Sequence, residues 1–172
     1  MRQVVLFVHL MAAMFWIGEM LMIGLVLGPI SRSLGAEERS RLFQAVGRRS
    51  LPLAWIAIGT LIVTGILNLY YMNISFGMLV TPAFYRSPFG MDLDIKLLAV
   101  LAMLVVSVVH DFYVARRNSE LRRQVAAANE PPGDLLVAQQ RMRTLASRLG
   151  RLNMLLALIV LFCAAGLVVF GG

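Results

Sequence analysis

Met91-Asp92-Leu93-Asp94-Ile95-Lys96-Leu97-Leu98-Ala99-Val100 opens a stretch that runs on without a break to Ala115. About 20 predominantly apolar residues carry a helix across the hydrocarbon of a bilayer, and residues 91–115 meet that length. Lys96 is the only lysine among sixteen basic residues, and it lies inside the stretch. An amine in hydrocarbon is costly, so it marks a functional site and needs a partner.

Working outward, residues 3–30, 51–72 and 152–170 are apolar over similar lengths. The chain is 59% hydrophobic and 15% charged, where a soluble domain carries about 25% charge. The expected fold is therefore all-α: one membrane domain over 1–172, a four-helix transmembrane bundle running up-down-up-down. The first run lacks a small-residue cleavage site and carries Trp16, Glu19 and Pro29, so it reads as a span and not as a cleaved leader.

The net charge of +7 is distributed by loop. Residues 31–50, expected as a loop, hold Arg32, Arg39, Arg41, Arg48 and Arg49. Residues 116–151 hold Arg116, Arg117, Arg122, Arg123, Arg141, Arg143, Arg148 and Arg151. Between the second and third spans there is only Arg86. The positive-inside rule makes the two basic loops cytoplasmic and puts both termini outside, in a bacterial inner membrane. The basic excess is thus a topology signal, and no nucleic-acid partner is expected. The lone Cys163 excludes a disulfide framework and a cysteine-type zinc site.

Helix formers continue from Arg116 until Glu130-Pro131-Pro132-Gly133, and Asp134 is placed to cap a helix through Arg151. Spans three and four are expected to project as a cytoplasmic helical hairpin, reaching roughly 20 Å past the membrane. It offers either a solvated surface near lipid headgroups or a docking face for other subunits of a membrane redox complex. The outer loop, residues 73–90, is apolar and aromatic, with Phe76, Phe84, Tyr85 and Phe89.

Spans one and three run the same way. Taking residues 3 and 92 as outer ends, His9 lies roughly 9 Å deep and Lys96 roughly 6 Å. Glu19 and His110 lie roughly 24 and 27 Å deep. Asn68 belongs to the outer layer. His9 and Trp16 are in line on one helix, as are Lys96, Met103 and His110 on another. An imidazole and an amine at one level suit a tetrapyrrole: the ring binds iron axially, and the amine pairs with a propionate or serves as sixth ligand. His110 is too deep to share that iron, so it serves a second centre or a proton relay with Glu19 or Asp111. The bland alternatives are also open. His9 and His110 would each hydrogen-bond a neighbouring helix, Lys96 would snorkel outward, and Glu19 would bond Thr60 or Thr64. The methionines around Met11 and Met14 would pack, or would handle Cu(I) through their thioethers.

His9-Leu10 with Trp16-Ile17-Gly18 resembles the H-x6-W-x-G opening of the CopD-like copper resistance proteins. The HemJ-type protoporphyrinogen oxidases, four-helix haem proteins, share it. Thr64-Gly65 resembles the T-G pair of CopD domains. Ser87-Pro88-Phe89-Gly90-Met91-Asp92-Leu93-Asp94-Ile95-Lys96 resembles their T-x-[YF]-G-x-x-L-x-x-K segment, and His110 with Arg116 and Arg117 resembles the H…R ending of the third span in HemJ proteins. The HemJ side implies haem b, with His9 and Lys96 as the required pair in an oxidoreductase. The CopD side implies copper passage with a periplasmic copper protein as partner. Glu19 stands where CopD-like proteins commonly have a second glycine. The expected function is membrane electron transfer or porphyrin oxidation on haem b, with Lys96 and Glu19 catalytic and His9, Trp16, Asn68, Lys96 and His110 around the cofactor. Copper handling and a non-catalytic accessory role are the alternatives.

Overall fold

In the computed structural model the apolar runs are helical, and the described residues contain no strand. Every residue is described except 76, 129, 171 and 172, together with the side chains of 36, 80, 85 and 167–170. Phe76 and the Tyr85 ring, both in the apolar outer loop, lie outside the described residues. Four helical stretches are long and apolar enough to cross a membrane: Arg2–Ile30, Glu37–Tyr71, Pro88–Ala127 and Gly133–Gly166. Large apolar side chains point outward along them, with Phe7 63%, Ile56 65% and Phe162 80% exposed. In water such patches would drive association, and lipid tails solvate them. The chain forms two compact units, Met1–Asp94 and Ile95–Gly172.

The first unit is built on α1 (Arg2–Leu21), which continues as a wider π-helical turn over Met22–Leu27 and a last turn, α2 (Gly28–Ile30). Pro29 lacks an N–H and its ring crowds the carbonyl a turn back. The ladder absorbs this by lengthening, so the Gly28 N–H bonds the Ile23 carbonyl. A tight turn follows, held by Arg39, whose Nε donates to the Ser31 carbonyl at 2.8 Å and whose terminal nitrogen donates to the Leu34 carbonyl at 3.3 Å.

Helix α3 spans Ala36–Tyr71, which corrects the expected loop over 31–50. Its start is written in charge. The Gly35 N–H donates to Glu38 Oε2 at 3.2 Å, and Glu37 and Glu38 suit the positive end of the helix dipole. Pro52 is accommodated within the helix at the cost of a ladder bond. Helix α3 packs on α1, and so short a turn makes the pair antiparallel. Their core is Trp16, Ile17, Ala57 and Ile58, with Thr64 buried beside it. Asn73 ends α3 at φ 56°. Its own N–H bonds the Tyr70 carbonyl and the Ile74 N–H bonds the Leu69 carbonyl, both at 3.0 Å, the paired bonds of a left-handed helix stop.

Helix α4 covers Pro88–Val108. Ser87 caps it, its Oγ accepting the Gly90 N–H at 3.0 Å and donating to the Phe84 carbonyl at 2.9 Å. Pro88 opens the first turn, where no N–H is needed. At position 90 any Cβ would overlap the Phe84 carbonyl oxygen, so only glycine fits. Ser87-Pro88-Phe89-Gly90 is thus a helix-starting device.

In the second unit α4 passes through a π-helical turn at Val109–Val114 into α5 (Ala115–Ala127). Ala128 is extended, and α6 runs Gly133–Phe170. This corrects the expected cap: the Leu135 and Leu136 N–H groups bond the Pro132 carbonyl at 3.1 and 3.2 Å, and Asp134 sits inside the first turn, favoured there by the dipole. Helices α5 and α6 pack side by side, burying Leu121 to 3%. One hydrogen bond ties α4 to α6: Asn153 Nδ2 donates to Ser107 Oγ at 3.1 Å, in a buried position. Met103 and Val114 are the largest fully buried side chains among the described residues, at 1% and 0% exposed.

Candidate functional site

His9 faces α3. Its Nδ1 lies 2.8 Å from Thr64 Oγ1, and that hydroxyl lies 2.6 Å from the Thr60 carbonyl. A carbonyl only accepts, so the hydroxyl proton must lie on that short contact. The Thr64 oxygen is then the acceptor toward the ring, and Nδ1 must carry the imidazole proton. In the neutral ring this leaves the lone pair on Nε2. Metal-bound histidines are oriented in this way by the partner of their other nitrogen. The neighbouring-helix hydrogen bond anticipated as an alternative is real, and it is made by Nδ1.

The Cε1 edge of the ring packs beside Gly65, 3.6 Å from where a Cβ would stand. So the H-x6-W-x-G opening and the Thr64-Gly65 pair meet in one contact, 55 positions apart in sequence. Trp16 lies two turns along the same face of α1 and is 6% exposed; its packing sets the rotation of the helix that carries His9. Thr60, Thr64 and Asn68 recur every four residues and share the facing stripe of α3. Asn68 is half-buried, one turn beyond Thr64. Glu19 is half-buried one turn past Trp16. Thr60 Oγ1 donates to the Ile56 carbonyl at 2.9 Å.

Lys96, Cys163 and His110 belong to the second unit. Lys96 is half-buried, on the α4 stripe that continues through buried Ala99, Met103 and Ser107. It thus leaves α4 on the face turned to protein. The Cys163 thiol of α6 is within electrostatic reach of it. His110 sits in the widened turn of Val109–Val114, and its Nδ1 meets Asp111 Oδ1 at 2.8 Å. Adjacent helical residues seldom face one another. Here they pair where the ladder is loosened, a place often tied to function.

The donors for copper are sparse. Met11, Met14 and Met22 point outward at 50%, 68% and 57% exposed. Among the described residues no three of histidine, cysteine, aspartate or glutamate gather as a metal cluster.

No family model matches the chain, and no solved structure matches it. Over 163 residues, 94% of this chain and 92% of the other, it is 25% identical to an uncharacterized protein of Aquifex aeolicus (strain VF5). The similarity therefore runs through both compact units.

Proposed function

We propose that this chain is an integral protein of a bacterial cytoplasmic membrane that holds haem b through His9 Nε2 and works in electron transfer or porphyrin oxidation. One observation carries the reading: the Thr60–Thr64–His9 chain of hydrogen bonds, which gives the ring the tautomer a ligand needs. The resemblance to CopD-like and HemJ-type proteins supports it, since His9 and Thr64-Gly65 are the residues in contact. Bound haem supplies one-electron chemistry.

The residues of the chain orient and protect. Thr64 holds the Nδ1 proton, Trp16 fixes the face of α1, and Asn68 offers an amide one turn outward. Lys96 enters from its depth in sequence and from the resemblance, as propionate partner or sixth ligand. Glu19 and the His110–Asp111 pair are assigned to proton movement. The topology that goes with this is up-down-up-down, with both termini outside and the α5–α6 pair as a cytoplasmic hairpin. Copper handling with a periplasmic partner is the second reading, carried by the CopD resemblance alone. In the third, an accessory subunit docks through residues 116–151.

The test is the visible spectrum and metal content of the detergent-purified protein. A Soret band with about one iron per chain is expected from a single axial histidine of this kind. A colourless protein with stoichiometric copper would replace this proposal with the second reading.

A further inference from the structure

Helices α5 and α6 enclose a groove that the His9 site does not use. Arg117 and Arg141 stand at the end nearer the membrane, Leu121, Val137 and Ala138 form the apolar middle, and Asp134 closes the far end. Positions 134, 137, 138 and 141 recur at helical spacing, as do 117 and 121, so each helix turns one stripe to the groove. The apolar middle lies beyond the bilayer. Counted along the helices from the Asn153–Ser107 hydrogen bond, the apolar run ends at Ala115 after about 12 Å, whereas Val137 stands at about 24 Å. Val137 is thus about 12 Å past the last apolar turn, and a headgroup layer is only about 5–8 Å thick. Among the described residues of 116–151, Leu136 and Val137 are the large apolar side chains left exposed, at 44% and 52%. Acyl chains end short of that level, so these side chains meet water. Residues 116–151 also hold eight arginines and three carboxylates. That excess asks for an acidic complement.

We propose that the groove docks an acidic amphipathic helix of a cytoplasmic protein. Its carboxylates pair with Arg117 and Arg141, whose guanidinium forks match carboxylate oxygens two at a time. Its apolar stripe covers Val137 and Ala138 above buried Leu121, as a helix lies in a groove by residues three and four apart. Asp134 stands about 10 Å from Arg141 along α6. It takes a hydrogen-bond donor or a cation, and so sets which end of the partner is acidic. A second copy of this chain suits the groove poorly, because its own hairpin carries the same excess of arginine. The arginines steer the encounter and the apolar middle holds it.

The proposal rests on the membrane topology proposed above and is independent of His9. The full chain in phosphatidylcholine nanodiscs is titrated with a fluorescent helical peptide in which glutamates flank a leucine stripe. Binding is read by anisotropy against empty discs, and is expected to weaken as salt rises. The same peptide with lysine for each glutamate, or serine for each leucine, should not bind. Arg117→Gln, Arg141→Gln and Val137→Ser should each weaken binding about fivefold or more. Arg48→Gln with Arg49→Gln, which removes charge elsewhere, should leave it unchanged. A chain with both Arg117→Glu and Arg141→Glu should reverse its preference and take the lysine peptide. Wild type that ignores the glutamate peptide, or groove variants that bind it as tightly, would overturn the proposal. So would binding that vanishes when phosphatidylglycerol enters the discs, since the arginines would then serve headgroups. Wild-type discs holding two chains where Arg141→Glu discs hold one would also overturn it, the groove then being filled by a second copy. An unchanged visible spectrum in these variants separates this result from the fate of the haem reading.

Discussion

At position 64 a threonine and a valine have nearly the same shape, so Thr64→Val removes the acceptor behind His9 and little else. Haem should then bind about tenfold to a hundredfold more weakly, the usual cost of losing the group that orients a metal-binding histidine. The midpoint potential should rise, because an imidazole without an acceptor at Nδ1 donates less to iron. Haem titration and a redox titration of the purified variant check both, and unchanged values would reduce Thr64 to a packing residue. His9 was legible from the sequence as a histidine in hydrocarbon, but its partner was not. Sequence gives depth along a helix and not the face of its neighbour. The stripe Thr60, Thr64, Asn68 was the missed signal: polar groups every four residues need something polar opposite. Methionine sequence positions likewise said nothing of direction, and Met11 and Met14 point outward.

At the scale of elements, the spans were plain because apolar runs of that length are rare outside membranes. Their extensions and irregularities were less plain. Residues 36–50 form helix through Glu37, Glu38 and an Arg41–Glu37 ion pair at 2.6 Å, a pattern that loops of mixed charge also show. The π turn before Pro29 has a cause in the proline ring, whereas the one around His110 has no proline to announce it. Two element-level tests follow. Ser87→Ala should cost about 1 kcal/mol at the start of α4, whereas Gly90→Ala should cost more, because the Phe84 carbonyl must move. Folded yield and thermal unfolding in detergent will rank them, and equal effects would argue against the close approach at position 90. In the second unit, a double-mutant cycle on Ser107→Ala and Asn153→Ala should show a coupling of about 0.6–1.7 kcal/mol, the range for hydrogen bonds between membrane helices. Zero coupling would mean that the register of α4 and α6 is set by packing around Met103 alone.

For the whole molecule, the arginine distribution makes the firmest statement about orientation. With Cys163 replaced by serine the chain has no cysteine, so single cysteines report topology directly. A cysteine at Ser75 should react with a membrane-impermeant maleimide in intact cells, and one at Arg48 or Arg123 only after lysis. The reverse pattern would invert the proposed topology and place His9 near the cytoplasmic face. How the function divides between haem and copper turns on one ring nitrogen. The decisive measurement is therefore the absorption spectrum of His9→Ala beside wild type, before and after adding free imidazole. A haem ligated by His9 predicts a Soret band in wild type, its loss in His9→Ala, and partial return with imidazole. A Soret band that survives the substitution unchanged would contradict it.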